Sequence, residues 1–192
     1  MRTVTQHERT EVLAAIRHWL EQAVIGLNLC PFAKAVHIKQ QIRYVVSGAT
    51  TPDELQRTLA EELRHLQEAA PDAIDTTLLI HPWLLTDFSD YLDFLDVAEA
   101  TVEQLALEGE IQIASFHPHY QFAGTEADDI TNYTNRAPFP ILHLLREASV
   151  ERAADAFPDA SRIYERNMEV MRRLGLDGWK NLMRGDKKPH RG

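Results

Sequence analysis

Two histidines close two similar runs, Leu79-Ile80-His81-Pro82 and Ser115-Phe116-His117-Pro118-His119. In an extended chain alternate residues point the same way, so His117 and His119 can converge on one metal ion or one anion. Pro118 between them removes a backbone donor and fixes a dihedral, which stiffens the pair. The same two imidazoles could act as general acid and base. A metal site needs a third ligand, for which Cys30, Asp128, Asp129 and His143 are the candidates. The chain has neither a Cys-x-x-Cys nor a His-Glu-x-x-His motif. In the plainer alternative, proline stops each strand and histidine tolerates a half-exposed strand end. Phe116, Tyr120 and Phe122 flank the pair and read as packing residues.

A second group runs from Asn132 to Arg146 and includes Asn135, Arg136, Pro138, Pro140 and His143. The two prolines stiffen a loop, and Pro140 is expected to open a helix that buries Ile141, Leu144 and Leu145. His143 and Arg146, three apart, would then share another helix face. Arg136, just before the helix start, would lie where free backbone N–H groups favour an anion. With Asn135 and His81 these groups would form a carboxylate or phosphate clamp for a substrate. The competing expectation pairs Arg146 with a nearby acid and leaves Asn135 as a cap. Cys30-Pro31 can begin a short helix that lowers a thiol pKa, or Cys30 can be a small buried apolar residue. His18 and His65 fall on solvated faces and His190 in the tail. Arg162, Arg166 and Asn167 lie on a basic helical face.

These residues need a frame. Thr5 with Glu8 marks a helix start, and Val12, Ile16, Trp19, Leu20, Ala23, Val24 and Leu27 form its apolar stripe. That segment closes near Asn28 to Pro31, with a further turn through Val36. A strand at 42–46 ends at Ser47-Gly48. Thr51-Pro52-Asp53-Glu54 starts a helix with Leu55, Leu59, Leu63 and Leu66 on its buried face. A strand at 76–80, a helix over about 89–107 and a strand at 111–116 follow. This βαβαβ order predicts an α/β fold with a small, mostly parallel sheet packed by helices. A helical C-terminal third completes it, with a short helix after Ser149 and a longer one from about Ala160 that stops at Gly175. Residues 1–183 are read as one domain and 184–192 as a disordered tail. Parallel strands would set Ser47-Gly48, His81 and His117 along one carboxyl edge, where open α/β sheets bind ligands.

The bulk properties narrow the function. The 192 residues carry a net charge of −9 and are 44% hydrophobic, which suits one globular domain and disfavours nucleic acid and anionic membranes as partners. No apolar run approaches the roughly 20 residues of a membrane span, and Met1 to Thr10 lack the apolar core of a signal peptide. One cysteine suits a reducing compartment, so a cytoplasmic location is expected.

Three stretches, Gly26–Ala33, Ala114–Phe122 and Thr134–Arg146, carry a family resemblance. Through them the chain resembles, over about Arg17 to Trp179, a bacterial family catalogued as domain of unknown function 1415. That resemblance implies no established activity and assigns no catalytic residue. A shorter likeness, Cys30-Pro31-Phe32 near the start of an α/β chain, is similar to haem-dependent N-oxygenases acting on guanidines. The residues together lead to an expected enzyme acting on a small polar or anionic substrate, with metal- or haem-assisted redox chemistry. In it His117 and His119 would bind a transition metal or exchange protons. Arg136 and Arg146 would hold the substrate, and Cys30 would be an axial ligand or a reactive thiol. The alternatives are a non-catalytic module binding a small molecule or a protein, and thiol-based redox activity at Cys30. Substrate, oligomeric state and electron donor are not set by the sequence.

Overall fold

The structure, a computed structural model, describes residues 1–155 and 162–184. Helix α1 (Gln6–Trp19) starts at the expected capping box. Thr5 Oγ1 accepts from the Glu8 N–H at 3.3 Å, and Glu8 Oε2 accepts from the Thr5 N–H at 2.9 Å. After Trp19 the helix widens into a π-helical turn, Leu20–Ile25, which keeps Leu20, Ala23 and Val24 inward. The turn ends at Gly26, where a Cβ would lie 2.2 Å from the Gln22 carbonyl oxygen. The chain then reverses at Asn28, in the left-handed region at φ 54°, and forms short helix α2 (Ala33–Ile38).

Strand β1 (Ile42–Val46), helix α3 (Pro52–Glu68), strand β2 (Thr76–Ile80), helix α4 (Phe88–Gln104) and strand β3 (Ile111–Phe116) follow in the predicted order. Thr51 caps α3 and Pro52 occupies its first turn, while the Glu54 carboxylate turns to the Thr50 N–H and hydroxyl at 2.8 and 2.9 Å.

The segment after Pro140 departs from expectation. It forms strand β4 (Ile141–Arg146), which enters the sheet between β2 and β3 in the order β1-β2-β4-β3. β1 and β2 pair in parallel, and β4 runs antiparallel to both of its neighbours. The sheet is therefore mixed rather than mostly parallel. Pro140 can begin a helix, but Pro138 and Pro140 also favour extended chain before them. The open edges of β2 and β3 offer a full ladder of partners to an extended segment, and that tertiary pairing overrides the helix propensity of its leucines. His143 and Arg146 consequently lie on opposite faces of a strand instead of one face of a helix. Because β4 alone is reversed, β1, β2 and β3 still point the same way, and Ser47, His81 and His117 follow their carboxyl ends.

Helices α5 (Glu147–Asp155) and α6 (Ile163–Arg184) complete the described chain. The predicted start near Ala160 lies outside the described residues, as do positions 185–192 of the predicted tail. Helical geometry breaks at Gly175, φ 66°, and resumes to Arg184, so that Trp179, Leu182 and Met183 reach the core. No helix among the described residues is long and apolar enough to cross a membrane.

The sheet separates two apolar layers. One face carries three cross-strand rows: Ile42-Thr76-Leu145-Gln112, Tyr44-Leu78-His143-Ala114 and Val46-Ile80-Ile141-Phe116. α1, the π turn and α6 cover that face through Val12, Ile16, Trp19, Leu20, Val24 and Met171. The other face, with Leu79, Leu142 and Leu144, packs on the leucines of α3 and on Tyr91, Phe94 and Ala98 of α4.

Candidate functional site

At the carboxyl edge, the two histidines that close β2 and β3 grip one turn. His81 is 1% exposed and its Nδ1–H donates to the Leu84 carbonyl at 2.9 Å; His117 is 0% exposed and its Nε2–H donates to the Leu85 carbonyl at 3.0 Å. Leu85 itself is left-handed, φ 55°. The fully buried Tyr91 ring lies against both imidazoles, 5.8 Å from His81 and 5.0 Å from His117, and its hydroxyl donates to the Ile141 carbonyl at 2.8 Å. Burial pushes His81 down to about 4 and also holds His117 below its ordinary range, so both rings are neutral near pH 7. His81 Nε2 is buried and has no partner among the described residues.

The chain from His117 to Tyr120 turns, with the Tyr120 N–H bonded to the His117 carbonyl at 3.1 Å. His117 Nδ1 accepts the backbone N–H of His119 at 3.0 Å. Both ring nitrogens of His117 are thus occupied within the protein, and the exposed His119 ring lies 5.8 Å away, centroid to centroid. The convergence expected of this pair assumed an extended chain, which the turn replaces. Among the described residues, no three His, Cys, Asp or Glu side chains gather as a metal-holding group.

The long loop between β3 and β4 is organised by its own polar side chains. Asn132, fully buried, accepts from the Phe122 N–H at 3.0 Å and the Thr125 hydroxyl at 2.8 Å, and donates to the Glu126 carbonyl at 2.8 Å. Asn135 donates to the Ser115 carbonyl at 3.2 Å. Arg136 donates to the Tyr120 and Ala127 carbonyls at 3.1 and 2.7 Å, with its guanidinium 4.2 Å from the Tyr133 ring centre. An open groove of about 480 Å³ brings Arg136 and His119 together with Trp19, Tyr133 and Trp179. Arg146 lies elsewhere, on the α3 face. Its guanidinium donates to the carbonyls of Leu66, Ala69 and Ile74, closing the C-terminal end of α3.

The remaining two candidates meet in a cavity of about 260 Å³ between the sheet and the π turn. His143 forms part of its floor, and Cys30 lies in the wall above with Trp19, Leu20 and Val24. Small Ala114, the register partner of His143, lines the space beside it. Thr76 Oγ1 sits 2.6 Å from His143 Nε2 and 2.6 Å from the Leu144 carbonyl. A carbonyl can only accept, so the single hydroxyl proton goes to Leu144 and the imidazole must donate from Nε2. His143 Nδ1 is then an acceptor with no partner among the described residues. Burial pushes the imidazole down to about 4, which keeps it neutral near pH 7. Burial likewise pushes the Cys30 thiol up, which keeps it protonated.

Phe32, Val36, Asp75, Ser149 and Ala153 line both this cavity and an open surface depression of about 670 Å³, so they form its mouth. There the Ser149 hydroxyl donates to Asp75 at 2.6 Å and Arg152 donates to Ser149 at 2.9 Å. Trp19, Thr76, Ala114 and Ser149 carried no signal of a site in the sequence. Only reading 141–146 as a strand would have set His143 opposite an alanine and pointed to a gap.

No curated protein and no solved structure matches the chain. The family described as protein of unknown function (DUF1415) matches residues 11–181, nearly the whole length, and the chain belongs to that family.

Proposed function

We propose that the protein is a binding module for a small, largely apolar molecule, held in the cavity between the sheet and the π turn. The observation that carries this reading is the neutral imidazole of His143, whose Nδ1 has no partner among the described residues, set in a largely apolar, partly enclosed space with a mouth at Asp75 and Ser149. Ligand sites have this character: apolar walls with few polar groups that fix orientation. A single benzene ring is accommodated by about 150 Å³, so the cavity supports a one- or two-ring ligand rather than a porphyrin. Redox catalysis on an anionic substrate draws less support. Arg136 and Arg146 are bound to backbone carbonyls, and both nitrogens of His117 are engaged. A free thiol at Cys30 fits a reducing compartment such as the cytoplasm.

The test is a thermal-shift titration with a panel of one- and two-ring molecules, wild type beside Ala153→Trp. Ala153 lies at the mouth on α5, a helix with no fully buried residue, so the larger side chain blocks access without disturbing the core. Wild type should gain several degrees at saturating ligand and the variant should gain none. A panel that leaves the wild-type midpoint unmoved would overturn the reading.

A further inference from the structure

The polar groups around the cavity say what the occupant must carry. Nδ1 of His143 accepts and has no partner among the described residues. Thr76 is complete, with its proton given to Leu144 and a lone pair filled by His143. At the mouth, Asp75 is another acceptor, already met by Ser149. Gln112, an exposed neutral amide, also lines the space, and among the described residues no lysine or arginine does.

An anion would therefore lose its water with no cation to balance its charge, and would face the Asp75 carboxylate at the mouth. A pure hydrocarbon would cover Nδ1 and leave it unsatisfied in an apolar environment. A neutral molecule with one O–H or N–H meets neither cost. Trp19, Phe32 and Phe116 give aromatic walls that suit a flat ring, and the volume exceeds what one benzene ring occupies.

We infer that the cavity selects a neutral, flat, two-ring aromatic molecule bearing one phenolic O–H or ring N–H, which it donates to His143 Nδ1. This rests on the binding reading above and goes further by fixing the class of ligand.

The experiment measures dissociation constants by calorimetry at pH 7.5 for 2-naphthol, naphthalene and 2-naphthoate, and for indole beside 1-methylindole. Wild type should bind 2-naphthol and indole at least tenfold more tightly than naphthalene and 1-methylindole, and should bind 2-naphthoate weakest. In His143→Leu, which keeps the volume and removes the acceptor, both ratios should fall to about one while naphthalene binding persists. Should that variant not fold, the wild-type pairs decide alone. Equal wild-type affinity within each pair, or a preference for 2-naphthoate, overturns the ligand class and leaves the binding reading standing. No binding by any of the five overturns both.

Discussion

Arg146 shows how a residue chosen for its chemistry can prove to be architecture. A guanidinium can meet several carbonyls at once, and the last turn of α3 leaves carbonyls without intrahelical partners. The positive charge also complements the negative end of the helix dipole. Arg146→Met keeps the stem and removes every donor. It should lower stability by about 2–4 kcal/mol, read as a fall in the urea midpoint at constant m value. The twin histidine–proline endings are similar. The sequence displayed His81 and His117 as an equivalent pair at one sheet edge, and the structure puts them there. Their shared task, holding the carbonyls of Leu84 and Leu85, was hidden because it depends on a turn whose path no local pattern describes.

Local signals were readable wherever a helix start or end obeys local rules. Thr5 with Glu8, Thr51 with Pro52, and Gly175 all mark real changes in backbone geometry. At Gly175 the sequence pointed to a stop, and the chain in fact breaks and resumes. An added Cβ there would meet nothing within 4 Å, so the cost of Gly175→Ala is only the left-handed φ of 66°. It should be about 1 kcal/mol, measured by chemical denaturation. A much larger loss would mean that Trp179 and Met183 leave the core with the misplaced half-helix. β4 resisted reading because proline followed by a leucine-rich run fits a helix start and a strand equally well, and only the vacancy between β2 and β3 decides. The cavity was less legible still. Its walls come from Trp19, Ile42, Thr76, Ala114, His143 and Ser149, residues brought together by the fold and unrelated in sequence.

At the scale of the whole molecule, the buried imidazoles couple stability to acid. His81 and His143 have folded-state values near 4 against an ordinary 6.5. As pH falls the unfolded chain takes up these protons first. The stability is therefore complete above pH 6.5 and is lost progressively down to pH 4, by on the order of 3 kcal/mol for each ring. Urea midpoints measured from pH 8 to pH 4.5 should fall over that window, and His143→Leu should flatten part of the slope. A midpoint indifferent to pH would mean that these rings are not buried neutral.

The strand order also bears on how the chain assembles as it leaves the ribosome. β1 and β2 can pair once α3 lies between them, but among the described residues β3 pairs with β4 alone, and β4 is the last of the four strands to be made. A nascent chain that has emerged only as far as Pro140 carries helices α1 to α4 and a parallel strand pair. It also exposes one edge of β2 and both edges of β3 to solvent. Closure of the sheet waits for six further residues, so the interval before β4 emerges is when the chain is most open to intermolecular pairing.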